Sequence, residues 1–235
     1  MPAMSQPNIE ILVRAEHVCG ESPVFDHRNG RLFWVDIPEG KVFYLSENLR
    51  PECLFTLDVP VGAVAVRENG GLVLAAKDRF LIVGSDLSTF EAEIAIEEGF
   101  PDNRFNDIAV DPQGRLWAGT MDDKEKQNSG ALYSLDAKGS VQKHLDNLKL
   151  SNGIGWSPDG RTMYLADTFD HSVFAFDFSN DSVGLTNKRT IFEGASDGEY
   201  PDGLCVDCDG NIWVAFWAGS KLEKISPTGT RQGVT

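Results

Sequence analysis

The sequence contains no run approaching 18 consecutive apolar residues, and its amino terminus, MPAMSQPNIEILVRAE, lacks a basic stretch followed by an apolar one. Neither a membrane-spanning helix nor a secretory signal is legible, so the expected location is cytoplasmic. Basic residues are scarce: 21 Lys and Arg stand against 36 Asp and Glu, a net charge of −15. Such a field repels phosphate backbones and anionic lipid, and excludes nucleic acid and membrane as expected partners. Cysteine is sparse too. Cys19, Cys53, Cys205 and Cys208 are too few for a disulfide scaffold, and the Cys205-x-x-Cys208 pair has no second pair or histidine knuckle to complete a zinc site. Gly-x-Ser-x-Gly is absent and His17, His27, His144 and His171 share no repeat phase, so nothing signals a serine hydrolase. No amphipathic helix of ten or more residues is readable, and the sequon at Asn180-Asp181-Ser182 reads as a polar loop.

What is present is a repeat. Five segments share one phrase, a polar residue, an apolar alternation, a turn ending in glycine and a second apolar alternation: ESPVFDHRNGRLFWVDI, GAVAVRENGGLVLAA, NDIAVDPQGRLWAGT, NGIGWSPDGRTMYLAD and DGLCVDCDGNIWVAF. Their turn glycines, Gly30, Gly70, Gly114, Gly160 and Gly210, are spaced by 40, 44, 46 and 50 residues. A period of roughly 45 residues is the size of one four-stranded propeller blade. Strands are expected at Ser22–Asp26, Arg31–Ile37, Lys41–Leu45 and Cys53–Leu57 in the first unit, with matching segments later. The fold class is therefore all-β, a β-propeller with about five blades, in one domain over residues 1–235 with a flexible segment at 1–8. A sixth turn glycine would fall near 250–260, so the domain reads as incomplete at its C-terminus. Asn8–Arg14 is then the candidate strand for closing against a final blade, and self-association through open blade edges is the expected consequence, where a complete propeller would be a monomer.

In a propeller, residues at one phase of different repeats converge on the central channel. Counting back five from the residue opening each turn (Asp26, Arg67, Asp111, Ser157, Asp207) selects Glu21, Gly62, Asn106, Asn152 and Asp202. Four of the five carry a side-chain oxygen, a donor set suited to a hard divalent cation, though zinc also accepts carboxylates. Asn-Gly and Asp-Gly pairs also form turns, but Glu21 is a poor turn former, and carboxylates facing one channel repel unless protonated or bound to a cation.

GESPVFD, RFNDIAVDPQGRLWAGTM, LSNGIGWSPDGRTMYLADT and YPDGLCVDCDGNIWVAF resemble the signatures of the senescence marker protein, gluconolactonase and regucalcin family, from about Cys19 to Gly229. The resemblance implies a six-bladed propeller with one divalent cation (Ca, Zn, Mg or Mn) and hydrolysis of a sugar lactone, a small-molecule partner. It implies Glu21, Asn152 and Asp202 as metal ligands, and Arg104 and Asn106 as substrate contacts. Asp202 is the candidate catalytic base. Alternatives on the same scaffold are an esterase or organophosphate hydrolase, and a calcium-binding propeller without catalysis. The alternative for Arg104 is a surface ion pair with Asp102 or Asp107. Trp34, Trp117, Trp156 and Trp213 read as packing between blades, Phe216 and Trp217 as rim residues able to stack on a sugar, and Asp122–Gly130 as an exposed loop or lid.

Overall fold

A computed structural model describes residues 10–46, 48–179, 184–194 and 198–234. Twenty strands fall into five antiparallel four-stranded sheets, each in simple sequential order. Blade one is β1 (Gly20–Asp26), β2 (Arg31–Asp36), β3 (Lys41–Leu45) and β4 (Pro51–Thr56). Blade two is β5 (Val61–Val66), β6 (Leu72–Ala76), β7 (Arg79–Val83) and β8 (Phe90–Ala95). Blade three holds β9 (Asn103–Val110), β10 (Leu116–Asp122), β11 (Gly130–Leu135) and β12 (Val141–Leu148). Blade four holds β13 (Ser151–Trp156), β14 (Thr162–Asp167), β15 (Ser172–Ser179) and β16 (Gly184–Glu193), with a 3-10 turn at Thr168–Asp170. Blade five ends the described chain with β17 (Tyr200–Val206), β18 (Ile212–Trp217), β19 (Lys221–Ile225) and β20 (Arg231–Val234). The arrangement is a five-bladed β-propeller.

The repeated phrase has a local cause. Asp207 opens its turn by accepting the backbone N–H groups of Asp209 (3.1 Å) and Asn211 (2.8 Å) through Oδ1, while Oδ2 accepts the Trp213 indole N–H at 3.1 Å. Asp111 does the same for Gln113, Arg115 and Trp117. One carboxylate thus fixes both the hairpin and the aromatic of the second strand. The glycine three residues on, with φ of 82° at Gly114 and 85° at Gly210, occupies a left-handed position that other residues adopt only with strain.

Blades pack in chain order through inner strands. Trp117 meets Trp156 and Phe178 of blade four edge-on, as expected for packing between blades. Trp34 differs: it stacks on Phe43 of its own blade and donates to His17 Nε2, so the run before β1 covers it. Four buried apolar clusters join blades one to two, two to three, three to four and four to five. Among the described residues no such cluster joins blade five to blade one, and β20 pairs with β19 alone. The ring is therefore open on that side rather than contracted and closed. Residues 10–14 form no strand, which departs from the expected closing strand at Asn8–Arg14: the final blade it was expected to close against is not among the described sheets. Asn8, Ile9, the segment 1–8 and the sequon at 180–182 lie outside the described residues.

Candidate functional site

Every inner strand breaks register at the same phase. The shifts fall between Glu21 and Val24, Val61 and Ala63, Ser151 and Ile154, and Pro201 and Leu204, and in β9 between Phe105 and Ile108. A bulge adds a residue to one strand and re-aims its side chains. Asn106, Asn152 and Asp202 lie within these bulges and Glu21 borders one, where Ser22 takes φ of 52°. The common offset read from the sequence is thus the bulge that turns polar residues out of the ladder. Gly62, which breaks the oxygen pattern, has a steric reason: a Cβ there would lie 2.4 Å from the Phe105 carbonyl oxygen of the neighbouring inner strand.

Glu21, Arg104, Asn106, Asn152 and Asp202 all line one cavity of about 1920 Å³, which runs from the channel into the gap between blades one and five. Close approach of β13 and β17 draws two of them together, since a Cβ on Gly153 would sit 2.6 Å from the Asp202 carbonyl oxygen. Burial raises the pKa of Glu21, and the charge of Asp202 raises it further; the Ser22 N–H and Arg104 only partly offset this. Burial likewise raises Asp202, against the pull of the Asn152 side chain and the Gly203 N–H. Two carboxylates that disfavour each other's charge beside an amide oxygen form an oxygen-rich, electron-rich pocket. Among the described residues no group of three or more His, Cys, Asp or Glu side chains is gathered for a metal; two carboxylates and an amide are a different donor set. That set fits a hard divalent cation, which would neutralise the repulsion.

The expected substrate contacts, Arg104 and Asn106, stand on blade three. Arg104 donates from Nε to Asp123 (2.5 Å) and from Nη1 to Asn106 Oδ1 and the Phe105 carbonyl (both 3.0 Å). Its ion pair is therefore with Asp123, not Asp102 or Asp107: Asp102 is taken by Lys124 at 2.7 Å. Asn106 Nδ2 donates to the Ser151 carbonyl at 3.1 Å, tying blade three to blade four beside Asn152. The 122–130 loop is pinned, because buried Asp122 accepts the backbone N–H groups of Lys124, Lys126 and Gln127. Phe216 is buried against Phe192 rather than lying at the rim; Trp217 is 53% exposed.

Several positioning residues were not singled out by the sequence pattern. Asp36 accepts the N–H groups of Val18 and Cys19, and Asp167 those of Lys149 and Leu150, all at 3.0–3.1 Å. Each buried aspartate fixes the backbone two residues before a candidate ligand, Glu21 or Asn152. Both stand ten residues after their turn openers Asp26 and Ser157, a phase readable from the repeats. Thr168 accepts from Asn152 Nδ2 (3.1 Å) and donates to the Pro201 carbonyl (2.7 Å), linking the two halves of the donor set. Glu97, buried and at φ of 59°, accepts from Asn103 Nδ2 (2.6 Å) and Thr120 Oγ1 (3.0 Å) and meets the Tyr133 hydroxyl. Asp107 lines the cavity and is otherwise enclosed by protein, and that burial, with the charges of Glu21 and Asp202, pushes its pKa up to about 7 against the pull of the Ile108 N–H.

A family profile described as the SMP-30/Gluconolactonase/LRE-like region matches residues 19–234. Regucalcin of Xenopus laevis is 35% identical over 97% of this chain and 78% of its own length. A calcium-binding regucalcin structure from Agrobacterium tumefaciens superposes with a TM-score of 0.88 at 26% identity, covering 95% of this chain and 76% of its own. A gluconolactonase from Xanthomonas campestris shares the fold at 21% identity, with a TM-score of 0.74 over 93% of this chain and 76% of its own. These relatives have the six-bladed form, of which this chain spans about three quarters. With repeat phase, bulged inner strands and sequence in agreement, the chain belongs to the SMP-30/gluconolactonase/LRE-like family.

Proposed function

We propose that the protein is a metal-dependent hydrolase that opens a hydroxylated five- or six-membered sugar lactone. The observation that carries the reading is the gathering of Glu21, Asn152 and Asp202 in one cavity with the donors Arg104 and Asn106. Glu21, Asn152 and Asp202 would hold the cation, and when bound it supplies electrophilic polarisation of the ester carbonyl. Asp202 takes a proton from the attacking water, and the raised pKa that burial gives it brings its basicity closer to neutral pH than an exposed aspartate. As the carbonyl carbon gains the water oxygen, the ring C–O bond breaks and the ring oxygen receives the proton from Asp202, leaving an open-chain hydroxy acid. Arg104, whose Nη2 has no protein hydrogen bond among the described residues, and the second N–H of Asn106 Nδ2 face the substrate as hydroxyl donors. The resting Arg104–Asp123 pair holds that guanidinium in place without consuming all its donors.

A panel of glucono-, pentono- and long-chain acyl lactones and one paraoxon-type ester, assayed with and without chelator, tests the reading. Chelator-sensitive turnover of an aldonolactone is expected. Asp202→Asn keeps an amide oxygen for the cation but loses the base, so kcat falls on the order of 10²–10⁴-fold while cation binding weakens less. Activity confined to acyl lactones or the phosphotriester, or near-normal turnover in the variant, would overturn it.

A further inference from the structure

The position ten residues after the turn opener is Asp36 in blade one and Asp167 in blade four, both 3% exposed and both holding backbone N–H groups, and Lys77 and Met121 in blades two and three. In blade five the same position is Trp217, more than half open to solvent and lining the cavity that contains Asp202. An indole has no oxygen to accept such N–H groups; the strand is instead held through its carbonyls, that of Pro201 by the Thr168 hydroxyl at 2.7 Å and that of Glu199 by His171 Nδ1 at 3.1 Å, so the indole is not needed to fix it.

Trp217 is nevertheless held. Tyr200, its cross-strand partner, meets it at 5.3 Å and 67°, and Phe169 meets it at 6.3 Å and 70°. Tyr200 is in turn braced by His171 at 4.6 Å. Neither aromatic neighbour lies parallel on the indole, which leaves ring surface free for a ligand. The wall is tied to the candidate ligands: Tyr200 lies two residues before Asp202, and Phe169 follows Thr168, the hydrogen-bond partner of Asn152. Blade three presents Arg104 and Asn106 to the same cavity. The channel therefore has a hydrogen-bonding wall on blade three and an aromatic wall on blades four and five. A hydroxylated ring has the matching asymmetry, with hydroxyls at its rim and C–H bonds on its face.

We propose that Trp217, braced by Phe169 and Tyr200, is a carbohydrate-stacking platform that receives the C–H face of the substrate ring while Arg104 and Asn106 receive its hydroxyls. The assignment rests on the lactonase reading for the reaction, but not for the binding. Its specificity consequence is discrimination for hydroxylated rings carrying an apolar face, against acyl chains of similar size.

Two measurements separate binding from hydrolysis. Saturation-transfer NMR with 1,5-anhydro-D-glucitol, a sugar ring with no carbonyl to hydrolyse, should show transfer concentrated on ring C–H protons in the wild type. Trp217→Ala should weaken its binding on the order of ten-fold and Trp217→Phe should restore most of it, because a smaller ring still stacks. In lactone kinetics the alanine variant should raise KM for an aldonolactone by a similar factor with kcat within about two-fold, a split expected for lost ground-state binding. Binding of the anhydro sugar unchanged by Trp217→Ala, transfer spread evenly over all protons, or loss that Trp217→Phe does not rescue would overturn the platform. Aldonolactone turnover absent while the NMR contrast persists would overturn the hydrolase reading and leave the platform standing.

Discussion

Asp107→Asn isolates the electrostatic strain of the channel. The carboxyl is pushed from an ordinary 3.8 to about 7, first by burial and then by the charges of Glu21 and Asp202, while its one backbone hydrogen bond, from the Ile108 N–H at 2.8 Å, pulls the other way. An aspartate whose folded pKa lies above its unfolded value adds stability below the unfolded pKa, and that stability is lost as pH rises through the folded one. Asp107 should therefore make the cation-free protein progressively less stable between about pH 4 and pH 7. A tenfold change in proton affinity is about 1.4 kcal/mol, so the interval from 3.8 to about 7 corresponds to about 4 kcal/mol at most. Water in the channel screens the charge, and about 2 kcal/mol is the figure to test. Asparagine keeps an oxygen for the Ile108 N–H and removes the charge. Urea unfolding in chelator should find the variant more stable than wild type by about 2 kcal/mol at pH 8, with the difference shrinking towards pH 4. A variant equally or less stable than wild type at pH 8, with the same slope against pH, would refute the reasoning.

Glu97→Gln should leave at least one of the donors on Asn103, Thr120 and Tyr133 without an acceptor, costing about 1–3 kcal/mol in urea unfolding. Because Asn103 and Phe105, whose cross-strand partner is Thr120, flank Arg104, KM for an aldonolactone should rise several-fold with it; unchanged stability and KM would dismiss the clamp. A divalent cation at 100 times its Kd should stabilise the protein by about 2.7 kcal/mol. Hydrogen exchange should then slow most at β1 and β17, the two inner strands that carry Glu21 and Asp202, and protection spread uniformly over all blades would count against that donor set.

The legible part of this protein is its periodic part. Strand positions followed from alternation between turn signals, and most fell within two residues of the observed bounds because each first hairpin carries a glycine with positive φ and, in blades one, three, four and five, an Asp or Ser opener. The candidate donor set was legible for the same reason, as phase is conserved by the fold itself. What escaped was contact between sequence-distant residues without a repeat to flag it. Glu97 reads as one acid in an alternating strand end, and only the approach of β9 and β10 reveals three donors converging on it. Arg104 has Asp102 and Asp107 near it in sequence, but β9 pairs with β10, and Met121 opposite Arg104 brings Asp123 within reach instead. Asp36 and Asp167 share a repeat phase, but Lys77, Met121 and Trp217 hold it in the other blades, so no common residue type marks it.

The open side of the ring gives the candidate donor set a second physical role. Apolar clusters weld each blade to the next from one through five, and none among the described residues welds five back to one. Glu21 stands on blade one and Asp202 on blade five, across that gap, and the charge of Asp202 makes Glu21 harder to ionise. Without a cation, the interaction of these two carboxylates across the open side is thus repulsive and increases as pH rises. On the proposed donor set, a divalent cation would make the same two carboxylates a bridge between the blades that packing leaves unjoined. Asn152, held by Thr168, would supply the third donor from blade four and anchor the bridge to the welded part of the ring. The coupling between cation binding and ring integrity should therefore be tighter here than in a propeller closed by packing. The same carboxylate geometry that would serve hydrolysis would also tie blade one to blade five.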